Sequence, residues 1–224
     1  MSWKSFIKSF IPFIPFLPYK RWQVLGLNRS DFKPVNLDTE RYVFRGATLE
    51  DDGDDIIEAF PANEFNYLVE QEERREEITR RFHQQSPCFV VREKGGNQLL
   101  GAVWMRPQQF GFLSRNQERS AKLDVEVRNL FVVPEKRSHG LAKQLLSFAI
   151  EHIFGTTDCK RIVSRVKEKK QRISSLLLHL KLNFSVLGTF TAQKVFGKIF
   201  SRFVRRNTNP FLDDFQRVPV IAQV

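Results

Sequence analysis

The chain has 224 residues, 42% of them hydrophobic and 27% charged, with 36 Lys and Arg against 25 Asp and Glu for a formal charge of +11. That length suits one domain with its own core, and a positive surface draws anions such as a nucleotide cofactor, nucleic acid or acidic lipid. Two cysteines, Cys88 and Cys159, exclude a disulfide framework and give no metal-site spacing, while no apolar run reaches the roughly 18 to 20 residues of a spanning helix and no secretory leader is recognisable, so a reducing, cytoplasmic setting is expected.

Residues 1–19 place Trp3, Phe6, Ile7, Phe10 and Ile11 at helical spacing with Lys4 and Lys8 off that face, before Pro12, Pro15 and Pro18. This predicts a short amphipathic helix and an extended arm, able to lie in a membrane interface at the inner surface or to pack on protein. Residues 20–40 show no period and read as a connector. A strand is expected over 41–48, then an acidic turn, and a charged helix over 62–85 burying Phe65, Leu68, Val69, Ile78 and Phe82. From Glu50 to Glu77 there are 12 acidic and 2 basic residues. That run reads either as a solvated face or as a selector of a cationic acceptor.

Strands over 88–91 and 99–105 flank Gly95-Gly96, a hairpin signal. A loop over 107–120 follows. Leu123 to Val133 reads as a strand in which Leu123, Val125 and Val127 alternate with Asp124, Glu126 and Arg128. Pro134 ends it, and Leu141, Leu145, Leu146, Ala149, Ile150 and Ile153 mark a helix. The turn between them therefore sits at a helix N-terminus, where unpartnered N–H groups and the positive end of the dipole favour a phosphate; Gly140 lets a ligand approach, and Lys136 and Arg137 add charge. Strand 161–166, helix 170–182 and strand 184–190 complete the alternation. Beyond them Val195, Phe196, Ile199, Phe200, Phe203 and Val204 form an apolar helical stripe among basic residues, and the tail from residue 207 reads as extended or loosely ordered.

Arg137-x-x-Gly140-x-Ala142, after a strand ending in Val132-Val133-Pro134, resembles the acyl-CoA signature of the GNAT acyltransferases. Arg45, Ala47 and Thr48 before the acidic turn are similar to the opening of that domain, and the element order over about residues 41–190 is the GNAT order. The resemblance implies an α/β GNAT fold, a mixed central sheet flanked by helices; outside it, the residue patterns above give amphipathic extensions over 1–40 and 191–224. It implies an acetyl-CoA-dependent N-acyltransferase without a metal, in which the main chain of Leu130, Phe131 and Val132 holds the pantetheine arm. Arg137, Ser138, His139, Gly140, Leu141 and Ala142 would hold the pyrophosphate. Glu126, eleven residues before Arg137, matches the position of the family's glutamate base; on the same strand face, Asp124 makes a carboxylate pair conceivable and Arg128 an ion pair.

The family's Asn-x-x-Ala-x-x-x-Tyr-x-x-x-Gly-Phe pattern, set on Phe184, puts Arg172, Ser175, His179 and Asn183 at its Asn, Ala, Tyr and Gly. His179 is then the candidate acid, by residue chemistry rather than by match. The acceptor amine, small molecule or protein, is left open, as is a homodimer. Rival readings are a non-catalytic acyl-CoA-binding module and a nucleic-acid or tRNA-directed protein, the latter suggested by 16 basic against 3 acidic residues from Lys136 to Arg206.

Overall fold

The computed structural model describes residues 19–59, 71–107, 124–167, 173–195, 198–205 and 217–220. These form two compact units, one between residues 27 and 163, the other of residues 19–26 and 164–220. Each mixes helix and strand.

In the first unit β2 (Tyr42–Gly46), β3 (Cys88–Glu93), β4 (Leu99–Pro107) and β5 (Asp124–Val132) pair antiparallel in that order. Gly95 at φ +80° makes the β3–β4 turn that only glycine takes without strain. Helix α1 (Leu49–Ala59) starts where Thr48 Oγ1 accepts the Asp51 N–H at 3.1 Å, a cap that also places Glu50, Asp51 and Asp52 at the helix's positive end. Helix α2 (Gln71–His83) follows, and α3 (Leu141–Thr156) leads from β5 to β6 (Arg161–Lys167). Arg161 at the start of β6 reaches Asp124 at the start of β5, so these neighbouring strands run the same way, as a strand–helix–strand crossover requires.

Helices cover both faces of this meander, which is why β3 and β4 are buried through almost their whole length rather than at alternate residues. On one face Ile56, Ile57 and Ile78 pack on Cys88, Val90, Ala102 and Trp104. On the other, Phe89 meets Phe148 and His152 of α3 with ring centroids 5.9 and 5.0 Å apart. Gly101 is a close-approach glycine, since a Cβ there would stand 2.7 Å from the Phe131 carbonyl.

In the second unit β1 (Tyr19–Asn28, through Gly26), β7 (Ser185–Val195), β8 (Lys198–Arg205) and β9 (Arg217–Val220) pair antiparallel in that order, with α4 (Ile173–Leu180) preceding β7. Two expectations fail here. The supposed connector over 20–40 begins as a strand, missed because Val24, Leu25, Gly26 and Leu27 are buried consecutively and so show no alternation. The supposed helical stripe at 195–206 is largely strand: its β-branched and aromatic residues suit a pleated chain equally, and pairing with β7 decides between them. The expected helices over 62–85 and 170–182 appear as α2 and α4; residues 60–70, like the N-terminal arm over 1–18 and the loop over 108–123, lie outside the described residues. Among the described residues no helix is long and apolar enough to cross a membrane.

Candidate functional site

After β5 the chain makes a 3₁₀ turn at Pro134–Lys136 and enters α3 through Ser138 at φ +66° and Gly140 at φ +80°. These left-handed residues turn the backbone outward. The N–H groups of Lys136 and Arg137 bond back to Val133 and Pro134, and those of Lys143 and Gln144 to Gly140. Between them the N–H groups of Ser138 to Ala142 have no acceptor among the described residues, and no side chain caps the helix. Ser138, His139 and Gly140 are exposed, Leu141 is buried as the first core residue of α3, and a Cβ on Gly140 would meet nothing within 4 Å. The result is an open cradle of donors at the head of a 16-residue helix. Arg137 braces it: its Nε donates to the Val132 carbonyl at 2.9 Å and its guanidinium lies over Phe131 at 5.9 Å. These residues fit a pyrophosphate.

Within β5 the register slips. Ala102 faces Phe131 and Trp104 faces Arg128, so Val103 alone stands opposite Asn129 and Leu130, with Asn129 at φ +47°. This is a β-bulge, which bends the strand and releases a backbone group from the ladder between Glu126 and the Leu130–Val132 segment. Glu126 is 2% exposed and sits across from Arg106. Arg128 Nε is 2.9 Å from its Oε2, an ion pair without the alignment of a hydrogen bond. Asp124 is held by Arg161 at 2.5 Å. The two carboxylates therefore have separate arginines.

His179 belongs to the second unit and is 2% exposed. Its Nδ1 lies 2.7 Å from the Ser175 carbonyl, its Nε2 has no partner among the described residues, and burial lowers its pKa below the ordinary histidine value. It is part of a helix stop: the Phe184 N–H bonds to the His179 carbonyl, the Asn183 N–H to Leu180, and Asn183 takes φ +64°. The residues on either side of this stop touch, His179 and Phe184 stacking edge-on at 5.0 Å. Asn183 thus performs the conformational task of the glycine it replaces in the family pattern.

Four residues of the acidic run, Asp52, Asp54, Asp55 and Glu77, are paired with arginines. Asp52, fully buried, accepts both Arg45 Nη atoms at 2.7 and 2.9 Å and Arg92 Nη2 at 2.8 Å; Arg92 also bonds Asp55. Burial would push the Asp52 carboxyl up, but the bonds from Arg92 and Arg45 outweigh it and hold it below the usual carboxylate value. Asp54 pairs with Arg75, and Glu77 with Arg80 and Arg81. The face of α2 above Trp104 is instead rich in arginine. A cavity of about 100 Å³ there is lined by Arg80, Arg81, Arg106 and Arg128 with Glu77 and Trp104. Sequence reading missed Arg80, Arg81 and Arg106, because only the β4–β5 register brings Trp104 and Arg106 against Arg128 and Glu126.

The family model of the acetyltransferase (GNAT) family matches residues 54–184, more than half of the chain. The chain belongs to the GNAT acetyltransferase family. Among solved structures, this GNAT chain is similar to a GCN5-related N-acetyltransferase from Sphaerobacter thermophilus (TM-score 0.57, 13% identity), covering 84% of the chain and 53% of that protein's length. It is also similar to a candidate acetyltransferase from Acinetobacter baylyi ADP1 (TM-score 0.53, 18% identity, 75% and 92% covered). At identities this low the structural likeness bears on the fold alone, and it agrees with the α/β GNAT order expected from the sequence. No curated protein matches the chain. The matched span contains β5, the bulge and the Ser138–Ala142 cradle of this GNAT domain, and GNAT proteins generally use acetyl-CoA.

Proposed function

We propose that the chain transfers an acetyl group from acetyl-CoA to the amine of an acceptor. The observation that carries this reading is the run of unpartnered N–H groups from Ser138 to Ala142 around positive-φ Gly140, on the same strand–turn–helix as the buried Glu126. Those amides and the head of α3 would hold the CoA pyrophosphate, and the main chain of Leu130, Phe131 and Val132 the pantetheine arm. The thioester supplies an activated acyl group. Glu126 takes the proton that an ammonium acceptor must lose, the nitrogen attacks the thioester carbonyl, the C–S bond breaks, and CoA leaves as the thiolate, which is protonated from solvent.

His179 we leave out of the reaction. A buried neutral imidazole whose one proton faces the Ser175 carbonyl has no proton to give a leaving thiolate, and its stacking on Phe184 fits a helix stop. That same observation favours a second reading, an acyl-CoA-binding module without turnover. The two separate in one experiment on Glu126→Gln. An enzyme loses turnover by about 10² to 10⁴ while keeping CoA affinity. A wild-type protein that binds CoA and transfers nothing to any amine supports the module, and wild-type turnover in Glu126→Gln removes Glu126 as base.

A further inference from the structure

The acceptor is chosen where an amine can reach Glu126, and the arginine-lined cavity adjoins that point. Trp104 and Arg106 of β4 and Glu126 and Arg128 of β5 are cross-strand partners and so share one face of the sheet, under the Glu77–Arg81 turn of α2. Glu77 is matched twice, by Arg80 and Arg81, and those bonds overcome its burial to keep it an anion. Arg81 is further engaged, donating to Asn129 at 2.9 Å and lying over Trp104 at 5.4 Å. Arg106 is exposed and has no carboxylate partner among the described residues. Arg128, which also lines the cavity, touches Glu126 through Nε without hydrogen-bond alignment, and its other donors have no partner among the described residues. The cavity wall thus carries four guanidinium groups and the one carboxylate of Glu77, with Glu126 next to it as the cross-strand partner of Arg106.

We propose that this cavity binds an oxyanion carried by the acceptor, making the substrate a small amine that bears a carboxylate or phosphate, gripped by Arg106 and Arg128 with its nitrogen at Glu126. The inference rests on the acyltransferase reading above. Planar guanidinium groups match such oxyanions by paired hydrogen bonds. The volume of about 100 Å³ is well beyond the roughly 10 to 15 Å³ that a single water needs and suits a headgroup rather than a peptide. Glu126 and Arg128 are two residues apart on one strand face, about 7 Å, so amine and oxyanion are joined by a few bonds. A cationic or polyamine acceptor, which the acidic run suggested, would meet surplus positive charge instead.

The test is calorimetric binding to the full chain saturated with CoA, using phosphoethanolamine against ethanolamine and β-alanine against β-alaninamide. At least one oxyanion-bearing probe is expected to bind about tenfold or more tightly than the partner that lacks the oxyanion. The phosphate and carboxylate pairs then tell which oxyanion is meant. Arg106→Glu is expected to abolish the preference and Arg106→Lys to keep part of it, both with unchanged CoA affinity. Equal binding within both pairs, binding of no probe, or a preference that survives Arg106→Glu overturns the proposal. CoA titration of the same samples reports on the acyltransferase reading separately: loss of CoA binding by the wild type would sink that reading, whatever the probes do.

Discussion

The donor cradle and the acceptor cavity lie in the same unit yet are built from different materials. From Ser138 to Ala142 the ligand-facing groups are backbone amides in one continuous stretch, set by a helix terminus and two left-handed residues. Beside Glu126 they are side chains from α2, β4 and β5, far apart in sequence and joined only by strand register. A backbone site tolerates changes in side-chain identity so long as conformation and access are kept. A side-chain site changes its ligand with one substitution. The donor should therefore be the fixed feature of this molecule and the acceptor the adjustable one.

Several substitutions would break or sharpen that contrast. The largest effect is expected from Glu126→Gln, which should lower kcat by about 10² to 10⁴ with CoA affinity unchanged, checked by thiol release and calorimetry side by side. Next comes Asp52→Ala. Removing the carboxylate leaves Arg92 and Arg45 without their shared partner in a site where Asp52 is fully buried, at a cost of about 3 to 5 kcal/mol in urea unfolding. Residual folded protein should still bind CoA normally, because this network supports α1 and β3 rather than either site. Gly140→Asn, which keeps a left-handed conformation accessible, should retain most CoA affinity, whereas Gly140→Ala should cost about 1 to 2 kcal/mol of stability from the φ of +80°.

The smallest effect concerns His179. Its folded pKa lies below the unfolded value because burial disfavours the charged ring, so the unfolded chain binds the proton more readily. Stability is then complete above the unfolded pKa of about 6.5 and falls as pH drops below it. His179→Leu should flatten that slope in denaturant unfolding between about pH 5 and 7, with turnover above pH 7 little changed. A large loss of turnover there would return His179 to the reaction.

Legibility in the sequence follows the same division. The β5–turn–α3 stretch could be read because its signals are local: alternation, then Pro134, Gly140 and a helical apolar stripe. The β3–β4 hairpin was equally local, carried by a glycine turn. Strand β1 was not, since burial on both faces removes alternation, and β8 was read as helix because its residues satisfy both periods until a partner strand is known. The arginine cavity required the register of Trp104 on Arg128 and a bulge at Asn129, neither of which sequence spacing records. Within the acidic run, the pairing of Asp52 with Arg45 and Arg92 brings together residues 7 and 40 positions apart, which a count of charges along the sequence does not record.

Calorimetric titration of CoA into the wild type, Gly140→Glu and Arg106→Glu tests the central claim most directly. Gly140→Glu puts a carboxylate among the amides assigned to the pyrophosphate, at a position where the added side chain meets no protein atom within 4 Å of its Cβ. CoA binding is predicted to be lost in Gly140→Glu, with its fold confirmed by circular dichroism, and to be unchanged in Arg106→Glu. Wild-type affinity in Gly140→Glu, or its loss in Arg106→Glu alone, would contradict the assignment of donor and acceptor to these two places.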